Sequence, residues 1–173
     1  MSKYLDTISY FTSLAQSNLM LRHNGFDDGV QRKAFISISD EEELIADIIN
    51  NLADKFAVQV GFTNTSGSND GAVNNTYTHS LRFYVKATIV YGEQSVKENS
   101  YDQAFAIAQQ WQQKIMYDAT VNDGCGALGF VDLGSFTCTK LPPLYDNHFG
   151  FQLTFTEQAP DASYLLPDYQ NWD

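Results

Sequence analysis

The chain has 173 residues, enough for one packed domain, and its 43% hydrophobic and 14% aromatic content excludes global disorder. Twenty-one acidic residues face ten basic ones, for a formal net charge of −11, and the only adjacent basic pair is Arg32–Lys33. Nucleic-acid affinity comes mainly from neutralising phosphates, so this balance argues against a DNA or RNA binder.

In chain order, Tyr4, Ile8, Phe11, Ala15 and Leu19 recur at helical spacing and predict a first helix over 4–23. Asn24 to Gly29, with two glycines and two aspartates, ends it, and Ala34–Ile38 is a short β-like run. Ser39-Asp40-Glu41-Glu42 fits a capping box, in which side-chain oxygens satisfy the free N–H groups of a helix start. Leu44, Ile45, Ile48, Ile49, Leu52 and Phe56 follow as a wide apolar stripe, so a helix is expected from about 40 to 55. Phe56, Val58, Val60 and Phe62 then alternate as a strand. Thr63–Thr76, rich in Asn, Ser, Thr and Gly, reads as a long mobile loop.

His79–Tyr91 alternates over a span long enough to leave the domain body, with Leu81, Phe83, Val85, Ala87 and Ile89 on one face. Ser100-Tyr101-Asp102-Gln103 repeats the capping pattern before a helix at 101–118, whose buried stripe is Tyr101, Phe105, Ala108, Trp111 and Ile115. Leu128–Cys138 reads as a strand, Pro142-Pro143 as a stop, and Phe149, Phe151, Leu153 and Phe155 as the apolar face of a last strand. The expected class is α+β: a mixed, mostly antiparallel sheet flanked by two or three helices, with a projecting hairpin or long loop. Its divisions are an N-terminal helical extension over 1–39, a core over 40–157 and an aromatic C-terminal arm over 158–173.

Chemistry has little to stand on. Gly124-Cys125-Gly126-Ala127-Leu128-Gly129 spells G-x-G-x-x-G, but a helix precedes it and a β-like run follows, the reverse of a dinucleotide fingerprint. It reads as a turn, and no cofactor is expected. His23, His79 and His148 are isolated, with no ligand or base at metal or triad spacing, and read as solvated or locally bonded. Four consecutive acids at Asp40–Glu43 point in different directions on a helix, so capping explains them better than a cation. The oxygen-rich Asn64–Asp70 lacks the bidentate glutamate of a calcium loop. Cys125 and Cys138 read as reduced, half-buried thiols, with pairing open if they face each other. Neither a secretory signal nor a membrane span is seen. No catalytic, cofactor or metal residue is assigned, and the chain is expected not to be an enzyme.

Two features suggest contacts with other chains. Tyr164, Leu165, Leu166, Tyr169 and Trp172 crowd the C-terminal segment, and such aromatics favour interfaces. They serve either as anchors on a neighbour or as a cover over the chain's own core. The 79–91 strand with its preceding loop is either a hairpin arm able to extend a neighbour's sheet or a plain central strand.

From residue 40 the expected order is helix, strand, long loop, long strand, helix, strand, strand. In this order, carried by Asp40–Lys55, Leu81–Val90, Tyr101–Asp118 and Phe151–Thr156, the chain resembles the tail-terminator (tail-completion) proteins of tailed bacteriophages. The resemblance covers roughly 40–157. It implies a non-enzymatic virion structural protein, a tail-terminator-like or neck/connector ring subunit, made in the host cytoplasm. Such a subunit works in head–tail assembly by self-association into a homo-oligomeric ring, with tail-tube and neck proteins as partners. A net-negative wall suits a DNA channel, because it repels phosphates over about 10 Å. The rival readings are a monomeric peptide- or carbohydrate-binding module using exposed Tyr and Trp, and an enzyme with a dispersed site.

Overall fold

The computed structural model describes residues 3–21, 23, 26–27, 30–31, 33–38, 52–69, 72–87, 94–121, 128, 130–144 and 147–160. Among them are two helices, α1 (Lys3–Ser17) and α2 (Gln94–Val121), and eight strands. The strands β1 (Phe26–Asp27) and β2 (Val30–Gln31) form a small antiparallel ribbon. The other six are β3 (Lys33–Ser37), β4 (Leu52–Asn69), β5 (Ala72–Lys86), β6 (Phe130–Val131), β7 (Thr137–Lys140) and β8 (His148–Pro160). They make one sheet in the order β3-β4-β5-β8-β6, with β7 also on β8. Among the described strands only the β3–β4 pairing is parallel, so the sheet is mixed and mostly antiparallel, as expected.

One face of this sheet carries the main core. Leu81 sits opposite Leu153 and Phe83 opposite Phe151 across β5 and β8, while Ala57 and Phe35 continue the layer through β4 and β3. Both helices pack here. Phe11, Leu14 and Ala15 of α1 and Ala104, Ile107, Ala108, Trp111 and Ile115 of α2 are buried in it. Trp111 lies between aromatic neighbours, with ring centroids 5.1 Å from Phe83, 6.0 Å from Phe11 and 6.1 Å from Phe35. Tyr10 ties the helices together by donating to Asp118 Oδ2 at 2.9 Å, and Lys114 pairs with the same carboxylate. On the other face Ile36, Ile38, Leu52, Phe56, Val58 and Tyr84 form a second buried cluster.

Several expectations change. The helix expected over 40–55 lies mostly outside the described residues, but its end is overturned, because Leu52 to Lys55 already belong to β4. The first helix stops at Ser17 rather than 23, where the Asn18 carboxamide oxygen accepts the N–H groups of Met20 and Leu21 in a turn. Tyr4 and Leu19 are exposed, and Thr7 and Leu14 take their places on the buried stripe. Ser100 is no cap. It lies in the second turn of α2, buried, and its hydroxyl donates to the Val96 carbonyl. The buried stripe of α2 is rotated onto Ala104 and Ile107, which leaves Phe105 37% exposed.

The 128–138 strand is broken. Asp132 accepts from the Gly134 N–H with its side chain and from Ser135 with its carbonyl, and this tight turn separates β6 from β7.

The largest change concerns 63–76. This stretch is no loop: Thr63 pairs with Thr78, Thr65 with Thr76 and Asn69 with Ala72, so the polar residues are the arms of one long hairpin. The β3 partner ends at Ser37 opposite Gln59, and β4 runs on for about 30 Å beyond it at the usual strand rise. A register shift between Gln59 and Gly61 marks where the arm leaves the body. Such a bulge flips the side-chain parity. Phe56 and Val58 face the second cluster, whereas Phe62 faces the helices, stacking near Tyr77 and His79 with centroids 5.4 Å away.

Candidate functional site

At the root of the arm the main core contains ionisable groups. His79 follows the parity of Leu81 and Phe83, and Glu157 that of Leu153 and Phe155, so both point into the layer beneath α1. Each is fully buried. His79 Nε2 lies 3.4 Å from Glu157 Oε1, and Lys3 Nζ of α1 reaches the same oxygen at 2.9 Å. The imidazole nitrogens have no well-aligned hydrogen bond, so the His79 contact is electrostatic rather than directional. Aromatic rings close the node, with Phe155 4.8 Å and Phe11 5.8 Å from the imidazole centroid and Lys3 Nζ 5.8 Å over the Tyr77 ring.

Burial by itself raises the pKa of the Glu157 carboxyl, but contacts from His79 and Lys3 outweigh it and hold the group below its ordinary value. Glu157 is therefore an anion at neutral pH. Because His79 and Glu157 have no exposed surface, no substrate can reach them, and only Lys3 touches solvent. The node is an ionic strut that fixes α1 across the two strands carrying the arm.

The other histidines are likewise structural. His23 Nδ1 accepts the N–H groups of Ala34 and Phe35 at 3.1 and 3.0 Å, and burial followed by the charge of Lys33 lowers its pKa. His148 is buried at the start of β8, 5.4 Å from the Phe56 ring. All three were expected to be solvated or locally bonded, and two are core residues. The signal that could have found His79 and Glu157 was there: each is in phase with an alternating apolar strand.

Cys138 is a free thiol on exposed β7 rather than half-buried, and Cys125 lies outside the described residues. Of the G-x-G-x-x-G stretch only Leu128 is described, and it is buried. Of the oxygen-rich 64–70 stretch, Asp70 lies outside the described residues; 64–67 is extended, so successive side chains there point to opposite faces and do not converge on one ion. Among the described residues no three His, Cys, Asp or Glu side chains gather as a metal group would require. No described helix is long and apolar enough to cross a membrane. A cleft of about 270 Å³ between α1 and α2 is lined by Leu14, Ser17, Asn18, Gln110, Trp111 and Lys114, and brings together no acid–base pair.

The surface left as a candidate site is the arm. Thr63 to Gly67 of β4 are exposed, and Ser66 donates across the hairpin to Asn75 Oδ1 at 2.6 Å. On the far side of β5, β8 follows the hairpin until Pro160 pairs with Asn74. Tyr164, Leu165, Leu166, Tyr169 and Trp172 lie outside the described residues, thirteen positions or fewer beyond the end of that strand.

The class of molecule on these grounds is an α+β sheet domain whose central strands continue into a polar arm. No protein-family model, curated protein or solved structure matches the chain.

Proposed function

We propose that this chain is a non-enzymatic virion structural protein, a tail-terminator-like or neck-ring subunit that acts in head–tail assembly by self-association. The observation that carries the reading is the arm. Chains rarely spend eighteen residues, Gly61–Asn69 and Ala72–Ser80, on paired strands without Asp, Glu, Lys or Arg side chains unless those strands meet something else. The buried ionic strut suits the same role, because it holds the arm root rigid against α1. The tail beginning at 161 supplies the apolar component of the contact, with Tyr164, Leu165, Leu166, Tyr169 and Trp172 as anchors.

The test compares the full chain with a chain ending at Pro160, the last residue of β8, by light scattering and negative-stain imaging. The full chain should assemble into closed rings, alone or when mixed with tail-tube subunits. The shortened chain should keep its circular dichroism spectrum and form no rings. A full chain that stays monomeric under all these conditions refutes the reading. A monomer whose tryptophan fluorescence saturates with a peptide or sugar would instead establish a binding module.

A further inference from the structure

The outer edge of β4 has a second property. Past Gln59 no described strand pairs with it, so from Gly61 to Asn69 one whole row of backbone N–H and C=O groups faces outward. Proteins blunt such edges with lysine, proline or an inward-pointing charge. Here the stretch Gly61-Phe62-Thr63-Asn64-Thr65-Ser66-Gly67-Ser68-Asn69 has none of these. The opposite edge of the sheet differs. There β6 has two residues, and β7 has four, ending in Lys140 just before Pro142-Pro143.

We infer that this β4 edge pairs with the same edge of a second copy, antiparallel and about a two-fold axis that passes between the two Thr65 residues. Length selects the occupant, because among the described strands only the edge itself offers an unpaired, unblunted row as long. Charge selects it too. Two copies carrying −11 each repel over most of their surfaces, but a two-fold axis places like residues together, and this stretch has no charge to oppose itself. In this register Gly61 meets the partner's Asn69, and each exposed Thr65 faces its counterpart, a pairing that β-branched hydroxyl residues favour. The contact closes on itself and makes a dimer, so it is distinct from any head-to-tail contact that builds a ring and does not rest on the ring reading.

The experiment uses the full chain and the single variants Thr65→Lys and Thr65→Glu, with mass measured by sedimentation across a concentration series. Thr65 is exposed, so the variants should keep the wild-type circular dichroism spectrum. The wild type should form a dimer, or an assembly with an even number of subunits. Each variant alone should halve that mass, and mixing the two should restore it, because Lys then faces Glu. Independently, amide hydrogen exchange between Gly61 and Asn69 should slow as wild-type concentration rises. A monomeric wild type, a Thr65→Lys protein of unchanged mass, a mixture that stays dissociated, or exchange independent of concentration each overturns the inference. Loss of rings with the dimer intact would count against the ring reading alone.

Discussion

Replacing Glu157 by glutamine tests whether the buried node is a strut. The change keeps shape and volume but removes the carboxylate that faces both His79 and Lys3. Breaking a buried ion pair by removing one partner costs roughly 3–5 kcal/mol, since the remaining charge loses its compensation. Lys3 retains 26% of its side-chain surface and can turn to water, so the low end applies, about 3 kcal/mol at neutral pH. For a chain of this size that lowers Tm by roughly 6–12 °C.

The pH dependence follows from linkage. Glu157 titrates below its ordinary 4.5 in the folded chain, so the unfolded chain takes up its proton first as the medium is acidified. Its contribution is fully present above about pH 4.5 and disappears as pH falls through the depressed folded value. The gap between wild type and Glu157→Gln in urea denaturation, followed by the fluorescence of buried Trp111, should be widest near neutrality and should narrow in acid. A gap below about 1 kcal/mol at neutral pH, or one that widens in acid, would refute the strut and its sign.

Two further substitutions probe the strands that carry the arm. Gln59 is buried, and neither atom of its carboxamide has a partner, so Gln59→Met should stabilise the chain by about 1–3 kcal/mol, read as a rise in Tm. A fall in Tm would mean that the amide is satisfied in solution. Gly150 lies opposite Tyr84, and a Cβ there would meet the Phe83 carbonyl oxygen at 2.5 Å and the Tyr84 ring at 2.6 Å. Gly150→Ala should therefore cost about 3 kcal/mol or more in denaturant titrations, and a neutral result would show that β5 and β8 are less closely apposed than described.

What could be read from the chain divides by the range of the interaction. Alternation exposed β5 and β8, and a 3.6-residue period exposed α1 and α2, because each pattern records burial against one fixed neighbour. Local signals misled where the decisive partner was distant. Thr63–Thr76 has the composition of a loop, and only pairing with β5 and β8 makes it strand. Ser100 satisfies the capping pattern, yet the helix starts at Gln94 and the serine spends its hydroxyl on Val96. The shift at Gln59–Gly61 was invisible, since one inserted residue leaves Phe56, Val58, Val60 and Phe62 alternating on paper while it turns Phe62 to the opposite face.

That inserted residue links fold and proposed role. Up to Gln59 the strand is covered by β3, with Phe56 and Val58 buried on one face and Ala57 on the other; past it the cover ends, the phase flips, and Phe62 is drawn under α1 beside Tyr4. The backbone edge is thereby released while the face beside it stays anchored by Tyr4, Phe62, Tyr77 and the Lys3–Glu157 pair. An edge that is free but rigidly mounted loses less conformational entropy on pairing than a floppy loop of the same composition would. The polar arm is thus preorganised to add a strand.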